Sequence, residues 1–98
     1  DYSESTLNAV QAAGDRVVLF FYAPWCPYCR VSDAELLRDS ERIPFGVTVL
    51  KTDYDTEKEL KNKYGVKFQD TFVLIDSDGD ALEIWTAGGL DELIKRTQ

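Results

Sequence analysis

The run Val17-Val18-Leu19-Phe20-Phe21-Tyr22 constrains this chain more than any other stretch. Unbroken apolar character with β-branched and aromatic members reads as a strand buried on both faces. Directly after it comes Trp25-Cys26-Pro27-Tyr28-Cys29, which contains both cysteines of the chain. Downstream the pattern turns helical, so the cysteine pair sits where a buried strand ends and a helix begins. Two thiols at this spacing can close a small disulfide, hold part of a metal site, or do each under different conditions.

The position has chemical consequences. Pro27 falls at the first helical residue, where its missing N–H costs nothing and its fixed φ suits the helix. Cys26 then stands at the helix N-terminus, where free backbone N–H groups and the macrodipole favour an anion by about 0.3 to 2 kcal/mol. A thiolate is such an anion. Cys29, one turn deeper, is expected to be less exposed, which gives Cys26 as the attacking nucleophile and Cys29 as the resolving thiol.

Composition narrows the partners. The 98 residues read as one domain, 1–98, and 44% hydrophobic content suits a globular chain. Eighteen acidic against 11 basic residues leave a net charge of −7, which argues against nucleic-acid or anionic-membrane binding. No apolar run approaches the roughly 18 to 20 residues of a membrane span. Histidine is absent, and two cysteines alone cannot complete a four-ligand zinc site, so no metal is expected unless a half-site is shared between chains. The chain opens at Asp1 and contains no methionine. The expectation is an exported domain (periplasm, cell surface or secretory compartment) that has lost an N-terminal segment, with a trimmed cytoplasmic protein as the alternative.

Read in order, residues 3–13 place Leu7 and Val10 at helical spacing before a Gly14-Asp15 stop. The strand over 17–22 follows. A helix from Pro27 to about Ser40 is expected to turn Val31, Ala34 and Leu37 or Leu36 inward, with Arg30, Asp33, Glu35 and Arg38 toward water. Residues Val47 to Thr52 read as a strand. Thr56-x-x-Glu59 has the form of a capping box that opens a short helix, with Gly65 as its stop. Residues Thr71 to Asp76 and Ala81 to Thr86 read as strands joined at Asp78-Gly79. That hairpin reading outweighs the calcium-loop look of Asp76-Ser77-Asp78-Gly79-Asp80, which lacks the rest of that motif. A closing helix carries Leu90, Leu93 and Ile94 after Gly88-Gly89. A right-handed crossover makes the first two strands parallel and the final hairpin is antiparallel. The fold class is therefore α/β, an α/β/α sandwich around a mixed four-stranded sheet.

These residues resemble the thioredoxin superfamily. Phe20-Phe21-Tyr22-Ala23-Pro24-Trp25-Cys26 followed by x-x-Cys is similar to the active-site strand and turn of thioredoxins and protein disulfide isomerase domains. Lys51 to Asp55 and Tyr64-Gly65-Val66-Lys67 resemble the segment leading to the substrate-facing loop, and Gly88 resembles a glycine lining the same groove. The inner dipeptide Pro27-Tyr28 is similar to that of glutaredoxins. The resemblance implies a thioredoxin-like fold and thiol–disulfide exchange, with no cofactor beyond the redox-active Cys26–Cys29 pair. It implies protein disulfide or dithiol substrates, an upstream redox partner and a monomer. Trp25, Pro27, Tyr28, Gln69, Asp70, Thr71 and Gly88 are the candidate substrate-binding residues. Arg30, Lys51 and Asp70 are candidates for tuning the ionisation of the dithiol.

Two positions depart from the family pattern. Asp70 stands where a cis-proline is usual. A non-proline cis bond costs about 2.5 to 4 kcal/mol, so Gln69–Asp70 is expected to be trans and the loop reshaped. Phe20 stands where a buried acid usually serves the resolving cysteine, and phenylalanine cannot carry a proton. The rival readings are a metal-binding module using Cys26, Cys29 and Asp70, and an interaction domain with a structural disulfide. A bridge over so few residues constrains the unfolded chain little, which favours the redox reading.

Overall fold

The computed structural model describes all residues from Asp1 to Gln98. Its elements run α1 (Glu4–Ala12), β1 (Arg16–Tyr22), α2 (Pro27–Arg38), a 3-10 turn (Ser40–Arg42), β2 (Val47–Asp53), α3 (Lys58–Tyr64), β3 (Thr71–Ile75), β4 (Ala81–Thr86) and α4 (Gly89–Arg96). The sheet order is β2-β1-β3-β4. β1 pairs parallel with β2 and antiparallel with β3, and β3 pairs antiparallel with β4. This is the expected mixed four-stranded sheet.

Alternation along the strands divides the core in two. Val18, Phe20, Phe72, Leu74 and Trp85 face Leu36 of α2 and Leu90 and Leu93 of α4. Val17, Leu19, Phe21, Val73 and Ile75 face the other way, toward Tyr64, Val66, and Leu7 and Val10 of α1. β1 is thus covered on both faces, as its apolar run requires.

Local signals account for the boundaries. Ser3 caps α1 by accepting the Thr6 N–H at 3.1 Å. Gly65 ends α3 in the left-handed region at φ 67°, where a side chain is disfavoured. The β3–β4 connection is a five-residue loop rather than a tight Asp-Gly turn, because Ile75 pairs with Ala81. The Asp76 carboxylate closes it, accepting N–H groups from Asp78 and Asp80 at 2.9 Å each.

Three expectations need correction. The inward face of α2 is Cys29, Ser32 and Leu36, whereas Val31, Ala34 and Leu37 are exposed. Asp33 and Glu35, expected in water, are half-buried because each has a partner: Asp33 pairs with Lys51 at 3.3 Å and Glu35 accepts the Leu90 N–H at 2.6 Å. Thr56 does not cap α3. Helix α3 starts after Glu57 with no side-chain cap, since Asp53 already takes the Asp55 and Thr56 N–H groups at 2.9 and 3.3 Å.

The Glu35 contact supplies what α4 lacks locally, because Gly88 at its N-cap has no side chain to offer. Glu35→Ala should therefore lower unfolding free energy by about 1 to 2 kcal/mol. In urea titration the midpoint should fall for Glu35→Ala and fall less for Glu35→Gln; equal midpoints for all three proteins would contradict the cap.

Candidate active site

The Cys26 N–H donates to the Ala23 carbonyl at 3.0 Å and closes the turn out of β1. Cys26 is the N-cap of α2, with Pro27 at the first helical position. Its Sγ accepts the Cys29 N–H at 3.3 Å, so the sulfur sits where the helix end favours negative charge. Both cysteines are free thiols. Cys26 is 4% exposed and Cys29 wholly buried, the order expected from their spacing. The Cys29 S–H points to the Phe21 carbonyl at 4.0 Å.

Burial pushes the Cys29 thiol up to about 12, with the hydrogen bond to Cys26, the Cys26 charge and the Asp70 carboxylate acting in the same direction and the Ala23 backbone against it. Cys29 therefore stays a neutral thiol through the physiological range.

Aromatic residues flank the pair. Trp25 is 57% exposed, yet its indole N–H is held by the Asp55 carboxylate at 2.9 Å and its ring meets Tyr54 edge-on at 6.4 Å. Tyr28, Val31 and Phe68 are also exposed. A groove of about 450 Å³ is lined by Tyr28, Val31, Ser32, Asp70 and Gly88 among others. Of the sequence candidates, Tyr28, Asp70 and Gly88 thus share one groove. Gly88 is required there, since at φ 95° an added Cβ would lie 2.5 Å from the Glu92 Cβ.

Other candidates are placed differently. Thr71 turns away from the groove, with its hydroxyl donating to the Phe68 carbonyl at 2.8 Å and meeting the Thr86 hydroxyl at 3.0 Å. Gln69 is half-buried and Arg30 exposed. The Lys51 ammonium is engaged by Asp33 and lies 4.5 Å from the centre of the Tyr22 ring.

The two departures are both resolved by geometry. Phe20 stacks on Phe72 at 4.7 Å and meets Tyr22 edge-on at 5.9 Å, so an aromatic ring fills the place of an acid. The Gln69–Asp70 bond is trans, as the chain holds no cis peptide. Asp70 adopts φ 57°, donates its N–H to Phe21 at 2.9 Å and accepts the Ala87 N–H at 2.9 Å. Aspartate tolerates this left-handed conformation, and proline, fixed near −65° without an N–H, cannot adopt it. The side chain is 5% exposed and its Oδ1 has no hydrogen-bond partner. Burial raises the Asp70 carboxyl above its usual range, with the Ser32 hydroxyl working against it.

Comparison with known proteins agrees with this geometry. The thioredoxin family model matches residues 3–97. The chain belongs to the thioredoxin family. It is 35% identical over 77 residues to thioredoxin-1 of Caenorhabditis elegans, covering 79% of this chain and 65% of that protein. Fasciola hepatica thioredoxin superposes with a TM-score of 0.75 at 31% identity, covering 97% of this chain and 90% of that one. Trxlp of Edwardsiella tarda gives a TM-score of 0.76 at 26% identity, covering 97% of this chain and 93% of that one. The chain spans two thirds or less of the length of the first curated relatives it matches.

Asp55, Ser32 and Glu35 are the site neighbours that sequence reasoning missed. Ser32 lies one turn from Cys29, so helical spacing carried a signal for it. Asp55 is 30 residues from Trp25 and carried none.

The raised Cys29 thiol gives a direct expectation. Iodoacetamide on the reduced protein at pH 8 should label Cys26 alone by peptide mass mapping. Labelling of Cys29 should rise only as pH approaches 12 or when urea unfolds the chain. Equal labelling of both at pH 8 would contradict the buried assignment.

Proposed function

We propose that this chain is a thiol–disulfide oxidoreductase acting on protein substrates through Cys26 and Cys29. The observation that carries the reading is the Cys26 Sγ at the N-cap of α2, with Cys29 buried directly behind it. Family membership supports the same chemistry.

In the reducing direction the Cys26 thiolate attacks one sulfur of a target disulfide. The other target sulfur leaves as a thiolate, and a mixed disulfide joins Cys26 to the target. Cys29 then loses its proton and attacks the Cys26 Sγ. The Cys26–target bond breaks, the second target thiolate departs, and two electrons have passed from the dithiol to the target. The oxidising direction reverses these steps, and the choice depends on reduction potential against that of the compartment.

Exposed Trp25, Tyr28, Val31 and Phe68 form the apolar surface that meets the target polypeptide, with the Asp70–Gly88 groove beside it. Each turnover leaves the pair oxidised, so an upstream dithiol partner must restore it. One chain supplies both cysteines, and a monomer suffices. An exported setting rests on the isomerase-like Tyr22-Ala23-Pro24-Trp25 run, and fractionation of the native host decides it against the cytoplasm. Family membership favours exchange over the metal-binding alternative.

Insulin reduction by dithiothreitol should accelerate with catalytic amounts of this protein. Cys26→Ser should abolish the acceleration. Cys29→Ser should instead accumulate a mixed disulfide visible on a non-reducing gel. Acceleration undiminished in Cys26→Ser would reject the reading.

A further inference from the structure

Resolution of the mixed disulfide requires Cys29 to give up a proton, and Phe20, at the position where thioredoxins usually carry an acid, offers no help. Phe20 is an aromatic ring in an aromatic stack, and the chain has no histidine. One buried acid, Asp70, stands on the loop that meets the end of β1 beside Cys29. The Asp70 N–H and the Cys29 S–H converge on a single acceptor, the Phe21 carbonyl, at 2.9 and 4.0 Å. Asp70 is 5% exposed, and its Oδ1 is buried with no hydrogen-bond partner. An unpartnered buried carboxylate oxygen is costly, by about 1 to 3 kcal/mol or more for a charged group. A proton would satisfy it.

We propose that Asp70 is the proton acceptor for Cys29, taking over across the groove the duty that Phe20 cannot perform beneath it. This rests on the exchange reaction proposed above. As the Cys29 sulfur attacks the Cys26 Sγ, the Cys29 proton passes to the Asp70 carboxylate. The Cys26–Cys29 bond forms, the Cys26–target bond breaks, and the target sulfur leaves with the electron pair. Asp70 then returns the proton to the departing thiolate along the groove, or to water.

The surroundings suit the role. Burial makes the Asp70 carboxylate a stronger base than an exposed one, because it raises the carboxyl toward the operating pH. From α2, Tyr28, Ser32 and Glu35 line the groove, Cys29 is buried beside Ser32 on the same helix, and Cys26 lies at the helix end. Glu35 is occupied by the Leu90 N–H. From β1 comes the Phe21 carbonyl, and Ala87, Gly88 and Gly89 of the β4–α4 turn bring no titratable side chain. Glu92, close to Gly88, is paired with Arg96 at 2.7 Å. No cation competes for Asp70 in this set.

The sign of the effect separates this role from simple charge. As a fixed negative charge Asp70 opposes Cys29 ionisation, so its removal would speed resolution. As proton acceptor its removal slows it. Asp70→Asn is the variant of choice, since asparagine tolerates the left-handed backbone and nearly matches the shape. The reduced protein is mixed with a cyclic peptide disulfide, quenched in acid at intervals, and the mixed disulfide and its oxidised product are counted by mass spectrometry. In the unsubstituted protein, resolution should stay nearly level across the neutral range and fall once acid protonates Asp70. In Asp70→Asn it should slow by about 100-fold at pH 7, within the usual span for acid–base catalysis, and rise about tenfold per pH unit.

Resolution in Asp70→Asn that is as fast or faster, or slower with an unchanged pH profile, would overturn the role. So would a tenfold rise per unit in the unsubstituted protein, a measurement that needs no variant. Absence of any Cys26-linked mixed disulfide in the unsubstituted protein would instead count against the exchange reading itself.

Discussion

Strand β1 is hydrogen-bonded along both edges and covered on both faces, and everything at the dithiol hangs from its C-terminal end. The Phe21 carbonyl receives Asp70 from the loop before β3 and Cys29 from α2, while the Tyr22 carbonyl receives Tyr54 from beyond β2 at 2.9 Å. Three segments far apart in sequence are therefore registered against two consecutive peptide groups. A strand free to slide would blur that register. Burial of Val17 through Phe21 on both sides of the sheet holds it, because a shift of one residue would exchange every side chain between the two cores.

The loss of an acid beneath the dithiol is coupled to the packing of the whole α2/α4 side. Phe20 stacks on Phe72 at 4.7 Å, and Phe72 on Trp85 at 5.5 Å, with both pairs nearly parallel. The three rings cross β1, β3 and β4 as a continuous apolar ladder. Each pair contributes about 0.5 to 1.5 kcal/mol beyond its buried area. A carboxylate in this ladder would break the stack and lie unpaired among rings, since Lys51, directly across from Phe20 in β2, already binds Asp33. The core thus excludes the charge at one position, and the structure carries its buried carboxyl at the opposite wall.

How far the sequence disclosed this arrangement depended on the range of the interactions involved. Strand β1, the Pro27 helix start, the Gly65 stop and the antiparallel pairing of β3 with β4 rest on neighbours a few residues apart, and they were legible. The trans bond before Asp70 followed from the cost of the alternative. The inward face of α2 was misread because apolar character was taken as the guide to burial. Ser32 goes inward toward the groove, while Val31 remains outside on the surface around the cysteines. The start of α3 was misread because Asp53 competes for the N–H groups that Thr56 was expected to serve. The contacts of Asp55 with Trp25 and Glu35 with Leu90 join residues 30 and 55 apart, and nothing local announces them.

The backbone at Asp70 explains why its side chain carries the chemistry of that wall. Its N–H is given to Phe21 and its carbonyl is taken by Ala87, so neither backbone group is free to pair with a strand of a bound polypeptide. Both residues lie in the left-handed region, at φ 57° and 69°. The bond between them joins the loop before β3 to the turn before α4. An extended partner lying along the groove would therefore meet side chains at this point: the Tyr28 ring, the Val31 methyls and the Asp70 carboxyl. Of these the carboxyl alone is buried. On the proposal that Asp70 takes the Cys29 proton, a partner covering the groove would remove water from that acid and so strengthen the interaction at the stage when the mixed disulfide is resolved.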